Sequence, residues 1–393
     1  MPKKLVDTKT YFLMHKDTLV AELDMIEDTA TIANITIANI EFAPVATATK
    51  HGTIDKKELN AWLQGRSIPA SRQHISEILG TLGVMNTQTL SLSSYGLGLN
   101  DQYWFKPEGI TKTWKEVNYF ENQFSNDMGD VLLLEKSPSD KSLDLRSPDN
   151  SSDGWLKKRW YQKDEYQYLL KGGSGSRQQE PYNEEIASKL LTELGIAHVR
   201  YEQVDINEQP YSLCRNFITT DTEYVPASRL QKAFKHPGNI SNYEHLINCC
   251  QEIRIQNSVD FLNKMLAFDY LIANTDRHWF NFGFIRNSNT LEYIGFAPLF
   301  DNGTSLWHEN HSTEQDLMAK TFGPEKGNTH SQQLKFITDL SWFNPVSKEK
   351  ITEIVTDVLG RNNRVDAKHI TMIIDGIIAK SDVLVKLQKE LTK

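Results

Sequence analysis

Cysteine is nearly absent: the chain has three, Cys214, Cys249 and Cys250, in 393 residues. Three thiols build no disulfide framework, and the adjacent pair falls in a stretch that reads as helix, which suits a reducing cytosol. Long hydrophobic runs are missing too. No window approaches the roughly 18 apolar residues of a membrane-spanning helix, and Pro2-Lys3-Lys4 leads into no signal-peptide core. The expectation is a soluble, cytoplasmic chain with no membrane partner. Positive charge is in deficit, with 43 Lys+Arg against 51 Asp+Glu and a net charge of −8. A dedicated nucleic-acid binder needs a clustered cationic surface, so direct nucleic-acid binding is not expected.

What is present is an ordinary globular composition, 39% hydrophobic and 24% charged, long enough for two or three domains. Tyr11-Phe12-Leu13-Met14 and Leu19-Val20-Ala21 read as two short strands joined by a turn. Asp55 caps a helix with Leu59, Trp62 and Leu63 on its apolar face, and a second amphipathic helix runs over 71–82, closed by Gly83. The aromatics Tyr103, Trp104, Phe105, Trp114, Tyr119 and Phe120 read as core and not as a base-stacking surface. Residues 137–154 are rich in Ser, Asp and Pro and read as a linker. Farther on, helices are expected over 183–195, with Asn183 as its cap, and over 243–255, 259–272, 332–340, 348–359 and 367–391.

The most informative stretch is 268–303. An apolar helix breaks into a polar loop holding Asn274, Asp276, Arg277, His278 and Asn281; a strand, a turn and a second apolar run then end at Asp301-Asn302-Gly303. Asp276 and Asn281 are five residues apart, and a second carboxylate follows after a hairpin. Phosphoryl transfer needs this set: one carboxylate for the acceptor hydroxyl, an amide for a metal, a second carboxylate to tie metal to phosphates. Asp276-Arg277-His278-Trp279-Phe280-Asn281 and Pro298-Leu299-Phe300-Asp301 together resemble the HipA-like serine/threonine kinases. That family's catalytic loop reads Asp-x-His-x-x-Asn, and its metal-binding Asp follows an apolar Pro-x-Phe/Tyr segment. Lipid kinases of the same superfamily share the Asp-Arg-His-x-x-Asn form.

The resemblance implies an α+β, two-lobed kinase-like fold with a β-rich N-lobe and a helical C-lobe. Its expected divisions are an N-terminal subdomain over 1–136, an ATP-binding core over 137–218 and a C-lobe over 219–393. Lys171, ending an alternating strand, is the candidate lysine for the α/β-phosphates, at a cleft edge where it adds little to the core. Glu184 is its candidate partner, matching the family's Asn-Glu helix start at Asn183-Glu184. No GxGxxG is present; the family's phosphate loop is glycine-poor and Ser/Thr-containing, which points to Ser152, Asp153 and Gly154. Asn216 and Phe217 stand where a strand runs into the adenine-reading hinge. Asp276 would act as base, and Asn281 and Asp301 would hold Mg²⁺ for ATP. His278 reads as a loop organiser, since no Cys/His partners lie at zinc spacing.

The implied reaction is transfer of the ATP γ-phosphoryl group to a Ser/Thr of a protein. Autophosphorylation at Ser151 or Ser152, and a small helix-turn-helix antitoxin as partner, come from the family alone. A lipid or small-molecule kinase would share every one of these residues. A binding module on an inactive kinase scaffold would be expected to have lost Lys171, Asp276, Asn281 or Asp301, and all four are present.

Overall fold

The computed structural model describes residues 7–69, 72, 75–134, 143–152, 154, 156–309 and 328–393. The chain divides into two compact units. The first comprises Met1–Leu170 with two returning segments, Asn216–Tyr224 and Asn287–Leu291; the second comprises Lys171–Arg215, Val225–Arg286 and Glu292–Lys393.

In the first unit, β1 (Thr8–His15), β2 (Thr18–Ile26) and β3 (Thr31–Ile37) form a meander, with α1 (Lys56–Gln64), α2 (Ile75–Leu82) and α3 (Thr87–Ser93) following. The strand β4 (Tyr103–Pro107) pairs antiparallel with β1, giving the order β3-β2-β1-β4. Alternation in β2 sends Ala21, Leu23 and Met25 into a core that Leu59, Leu63, Tyr103 and Phe105 complete. Asp55 caps α1 by accepting from the Lys57 and Glu58 N–H groups, as its position before the apolar run predicts. The six aromatics named above are all buried, as expected of core. The unit's first segment continues through α4 (Trp114–Val117), α5 (Asp127–Leu134) and β5 (Lys158–Lys163) and ends within β6 (Tyr166–Gly172), at Leu170.

The linker reading of 137–154 is overturned where the structure describes it. Ser147, Asp149, Asn150, Ser151 and Ser152 are all buried. The Asp149 carboxylate accepts from the Trp160 N–H (2.6 Å) and the Ser147 hydroxyl (3.0 Å), and Asn150 donates to the Leu145 carbonyl. Polar residues that suit a solvated turn here find partners in one another and in Arg72, Leu97, Leu145 and Trp160, which allows burial, with Asn150 Oδ1 left unpaired.

The second unit opens with α6 (Glu180–Glu193) and the hairpin β7 (Tyr201–Ile206)–β8 (Gln209–Arg215). After β9 (Thr222–Pro226) come α7 (Ala227–Ala233), α8 (Asn242–Glu252) and α9 (Ser258–Leu271), then the hairpin β10 (Gly283–Asn287)–β11 (Tyr293–Phe296). Last are α10 (His330–Gln333), α11 (Lys348–Leu359) and α12 (Ala367–Leu391). Leu190, Leu266, Phe268, Val355 and Ile377, from α6, α9, α11 and α12, share one core. Two helix expectations change. Pro181 lies in the first turn of α6, so the helix starts ahead of Asn183, and Asn183 is a buried interior residue with Gln179 as the N-cap. The helix expected over 332–340 is only α10 and a 3-10 turn at Leu334–Phe336.

Candidate active site

Lys171, near the end of β6, is buried between two carboxylates. Its Nζ lies 3.3 Å from Glu184 Oε1 and donates to Asp301 Oδ1. Burial alone would lower the lysine pKa, but the charges of Asp301 and Glu184 outweigh it and hold the group above its ordinary range. Burial pushes Glu184 upward, with Lys171 opposing. One cation between two carboxylates leaves negative charge in excess, the electrostatic condition for binding a further cation. The cleft-edge expectation for Lys171 is corrected: at 7% exposure it is packed in, held there by opposite charge on either side.

The Asp301 backbone is set by its neighbours. Leu299 forms a parallel bridge with His198, with Leu299 N–H to the Ala197 carbonyl at 3.0 Å and Val199 N–H to the Leu299 carbonyl at 2.9 Å. The chain then turns at Asp301 itself, whose φ is +57°. Asp is among the few side chains that tolerate this left-handed region, at a cost on the order of 1–2 kcal/mol. Asn302-Gly303 is therefore not where the chain reverses. The Asn302 N–H instead donates to Glu184 Oε2 (2.8 Å), and Asn183 Nδ2 donates to the Gly303 and Ser305 carbonyls, each at 2.8 Å. A Cβ at Gly303 would come within 3.2 Å of Glu180 Cβ, so this loop runs hard against α6.

The loop after α9 is held just as firmly. Asp269, in the last turn of that helix, is buried and ion-paired with Arg277 at 3.0 Å. Arg277 also donates to the carbonyls of Asn281 (2.8 Å) and Phe300 (2.6 Å) and to Asn302 Oδ1 (2.6 Å). Asn274 bridges Asp269 Oδ1 (3.0 Å) to the Asp276 N–H (2.9 Å). Asn281 donates Nδ2 to the Asp276 carbonyl (3.0 Å), which leaves Oδ1 as the end of the amide able to ligate. Asp276 keeps 36% of its side chain exposed, and burial raises its pKa while His278 opposes. His278 Nδ1 accepts from the Phe280 N–H (3.2 Å), which puts the neutral ring's proton on Nε2, 4.0 Å from Asp276 Oδ2. Its geometry is that of a loop organiser.

Lys171, Glu184, Asp276, Asn281 and Asp301 thus all belong to the second unit, and the first three named interact directly or electrostatically with Asp301. Among the described residues no group of three or more His, Cys, Asp or Glu side chains is arranged to hold a metal. An amide oxygen and one carboxylate nevertheless fit Mg²⁺ arriving with nucleotide, because that ion keeps phosphate and water ligands of its own. The sequence reading did not single out Asp269, although a carboxylate within the apolar run Met265-Leu266-Ala267-Phe268-Asp269-Tyr270-Leu271-Ile272 was the signal available.

The remaining candidates lie in the first unit. The Ser152 hydroxyl donates to the Asp149 carbonyl (2.8 Å) and accepts from Arg72 (3.0 Å), and Arg72 also reaches the Gly154 carbonyl (2.7 Å). Asp153 lies outside the described residues. Asn216 donates N–H to the Gln167 carbonyl and Nδ2 to the Leu99 carbonyl (3.1 Å), and Phe217 meets Tyr224 edge-on. The returning segment that carries them is gripped further by Gln102, which donates to the Thr219 and Thr222 carbonyls.

Against known proteins, the model of the HipA-like C-terminal domain matches residues 145–365, more than half of the chain. Among solved structures, HipA of the Shewanella oneidensis MR-1 toxin–antitoxin system, determined with HipB and operator DNA, is similar at a TM-score of 0.58 and 13% identity. That similarity covers 97% of this chain and 99% of that one, and shows the fold. The Helicobacter pylori proinflammatory kinase CtkA gives a TM-score of 0.45 at 18% identity, over 60% of this chain and 95% of its own. No curated protein matches.

Proposed function

Because the chain belongs to the HipA-like C-terminal domain family, we propose that it is an ATP- and Mg²⁺-dependent kinase that phosphorylates Ser/Thr hydroxyls of a protein. The observation that carries this reading is the charge constellation of the second unit: Lys171 between Glu184 and Asp301, with Asp276 and Asn281 on a loop tied to the same backbone. Bound Mg·ATP would supply the phosphoryl group. Lys171 would neutralise α/β-phosphate charge, with Glu184 keeping it charged and oriented. Asn281 Oδ1 and Asp301 would hold the metal. Asp276 would orient the acceptor hydroxyl and take its proton; a carboxylate whose pKa is raised by partial burial is a better acceptor than a solvated one.

In the first unit, Ser152 and Gly154 are proposed for the phosphates and Asn216 and Phe217 for the adenine; Asn216 supports the hinge backbone, since its side chain is committed to the Leu99 carbonyl. Autophosphorylation at Ser151 or Ser152 would require their loop to leave its buried position. HipA of the similar structure was determined with HipB, and a small helix-turn-helix antitoxin is the proposed partner here. The reaction is tested with γ-labelled ATP and Mg²⁺ against cell lysate, a lipid extract and the protein alone. Label on protein Ser/Thr supports the reading; label confined to lipid moves the chain to the lipid-kinase class; no transfer anywhere overturns it.

A further inference from the structure

We propose that Arg277 is the positioning residue that sets the spacing between the two candidate metal ligands, Asn281 and Asp301. The inference rests on the proposed Mg·ATP site and concerns how that site is built.

One guanidinium grips both ligands through the backbone. Nη1 donates to the carbonyl of Asn281 itself (2.8 Å) and to that of Phe300 (2.6 Å), while Nη2 donates to the side chain of Asn302 (2.6 Å). The second ligand, Asp301, is therefore held from the residues on either side of it. The remaining edge of the guanidinium is anchored on Asp269, with Nε at 3.1–3.2 Å and Nη2 at 3.0 Å. Arg277 is 1% exposed and Asp269 3%, so neither contact is weakened by solvent. Through Asn274 the same carboxylate also supports the Asp276 N–H.

The planar fork matters. Five N–H donors in fixed directions let one side chain hold four acceptors on two chain segments, whereas a lysine ammonium has three donors and no plane. An Arg277→Lys chain can keep the charge pair with Asp269 but cannot keep both arms. Helix α9 and its core would persist, and the two ligands would lose their fixed separation. Mg²⁺ demands near-ideal octahedral geometry, so it feels such a change more than nucleotide binding without metal does.

The test is calorimetric titration of a non-hydrolysable ATP analogue into the full chain, in EDTA and in saturating Mg²⁺. Wild type, Arg277→Lys, Asn302→Ala and Leu262→Ala are compared. Leu262 is buried in α9 and serves as a control for lost stability alone. Arg277→Lys is expected to keep its affinity in EDTA and to lose about tenfold or more of the affinity that Mg²⁺ adds, the usual scale for a residue orienting a metal ligand. Asn302→Ala, lacking one arm, should fall between it and wild type, and carries the test if Arg277→Lys does not fold. Leu262→Ala should lower the melting temperature and keep the full Mg²⁺ gain. An unchanged Mg²⁺ gain in both clamp variants overturns the proposal, and so does an equal loss in Leu262→Ala. A wild type showing no Mg²⁺ gain fails the site reading itself, before any variant is compared, and the inference falls with it.

Discussion

Two buried polar stretches, 147–152 in the first unit and 269–281 in the second, are built on opposite principles. Each centres on a buried carboxylate. Asp269 faces a guanidinium: burial pushes its pKa up, but Arg277 and Asn274 oppose, and the pair organises three further backbone or side-chain acceptors. Asp149 is held by neutral donors, the Trp160 N–H and the Ser147 hydroxyl, with Arg159 and Arg72 acting only at a distance. Its pKa is pushed up to about 6. Burial raises both carboxylates; at Asp269 a guanidinium in direct contact opposes that rise, whereas Asp149 has only neutral donors in contact and its loop is tied to a titration near pH 6. The second unit uses the rigid arrangement where the candidate chemistry lies.

The largest expected effect is at Asp276. Asp276→Asn should lose at least about 10²-fold in turnover, the scale of a positioned proton acceptor. Wild-type activity should rise with pH through a value above the ordinary aspartate range, because burial raises Asp276, and the variant's residual activity should lack that limb. A pH–rate profile of both checks this.

Lys171→Met comes next. It strands Glu184 and Asp301 together, and removing one partner of a buried charge set costs about 3–5 kcal/mol. Urea unfolding should show that loss, and Glu184→Gln in the same chain should return part of it by removing an uncompensated charge.

The third effect belongs to the first unit. Asp149 has a folded value of about 6 against the ordinary aspartate value of 3.8. Between those values the folded chain keeps a proton that the unfolded chain has lost. Its contribution is therefore fully present below about pH 4 and is lost as pH rises through 6, amounting to about 2–3 kcal/mol. Urea midpoints measured from pH 4 to 7 should fall in wild type relative to Asp149→Asn, and parallel curves would erase the contrast drawn between the two carboxylates. The smallest effect is at Ser147: Ser147→Ala removes one hydroxyl bond to Asp149 and should cost about 1 kcal/mol at pH 7.

The same contrast explains what the sequence could reveal. The 276–281 loop was legible because its polar residues interrupt an apolar helix, and Asp301 because an apolar run ends on it. Helices α11 and α12 run over the expected residues, since their apolar spacing is uninterrupted and Ser347 and Asp366 cap them. Residues 147–152 misled because Ser, Asp, Asn and Pro carry the same letters whether they face water or satisfy one another. The start of α6 misled because Asn183 resembles a cap, while its amide is spent on the Gly303 and Ser305 carbonyls. That bond joins segments 120 residues apart, and no local pattern encodes it.

The central claim is that Asp276 and Asp301 divide the work, one facing the acceptor and the other the metal and phosphates. Calorimetric titration of Mg·ATP into Asp276→Asn and Asp301→Asn separates them most directly. Asp276→Asn should bind with close to wild-type affinity, and Asp301→Asn should lose most of the Mg²⁺-dependent part. Equal losses in the two variants would contradict the division.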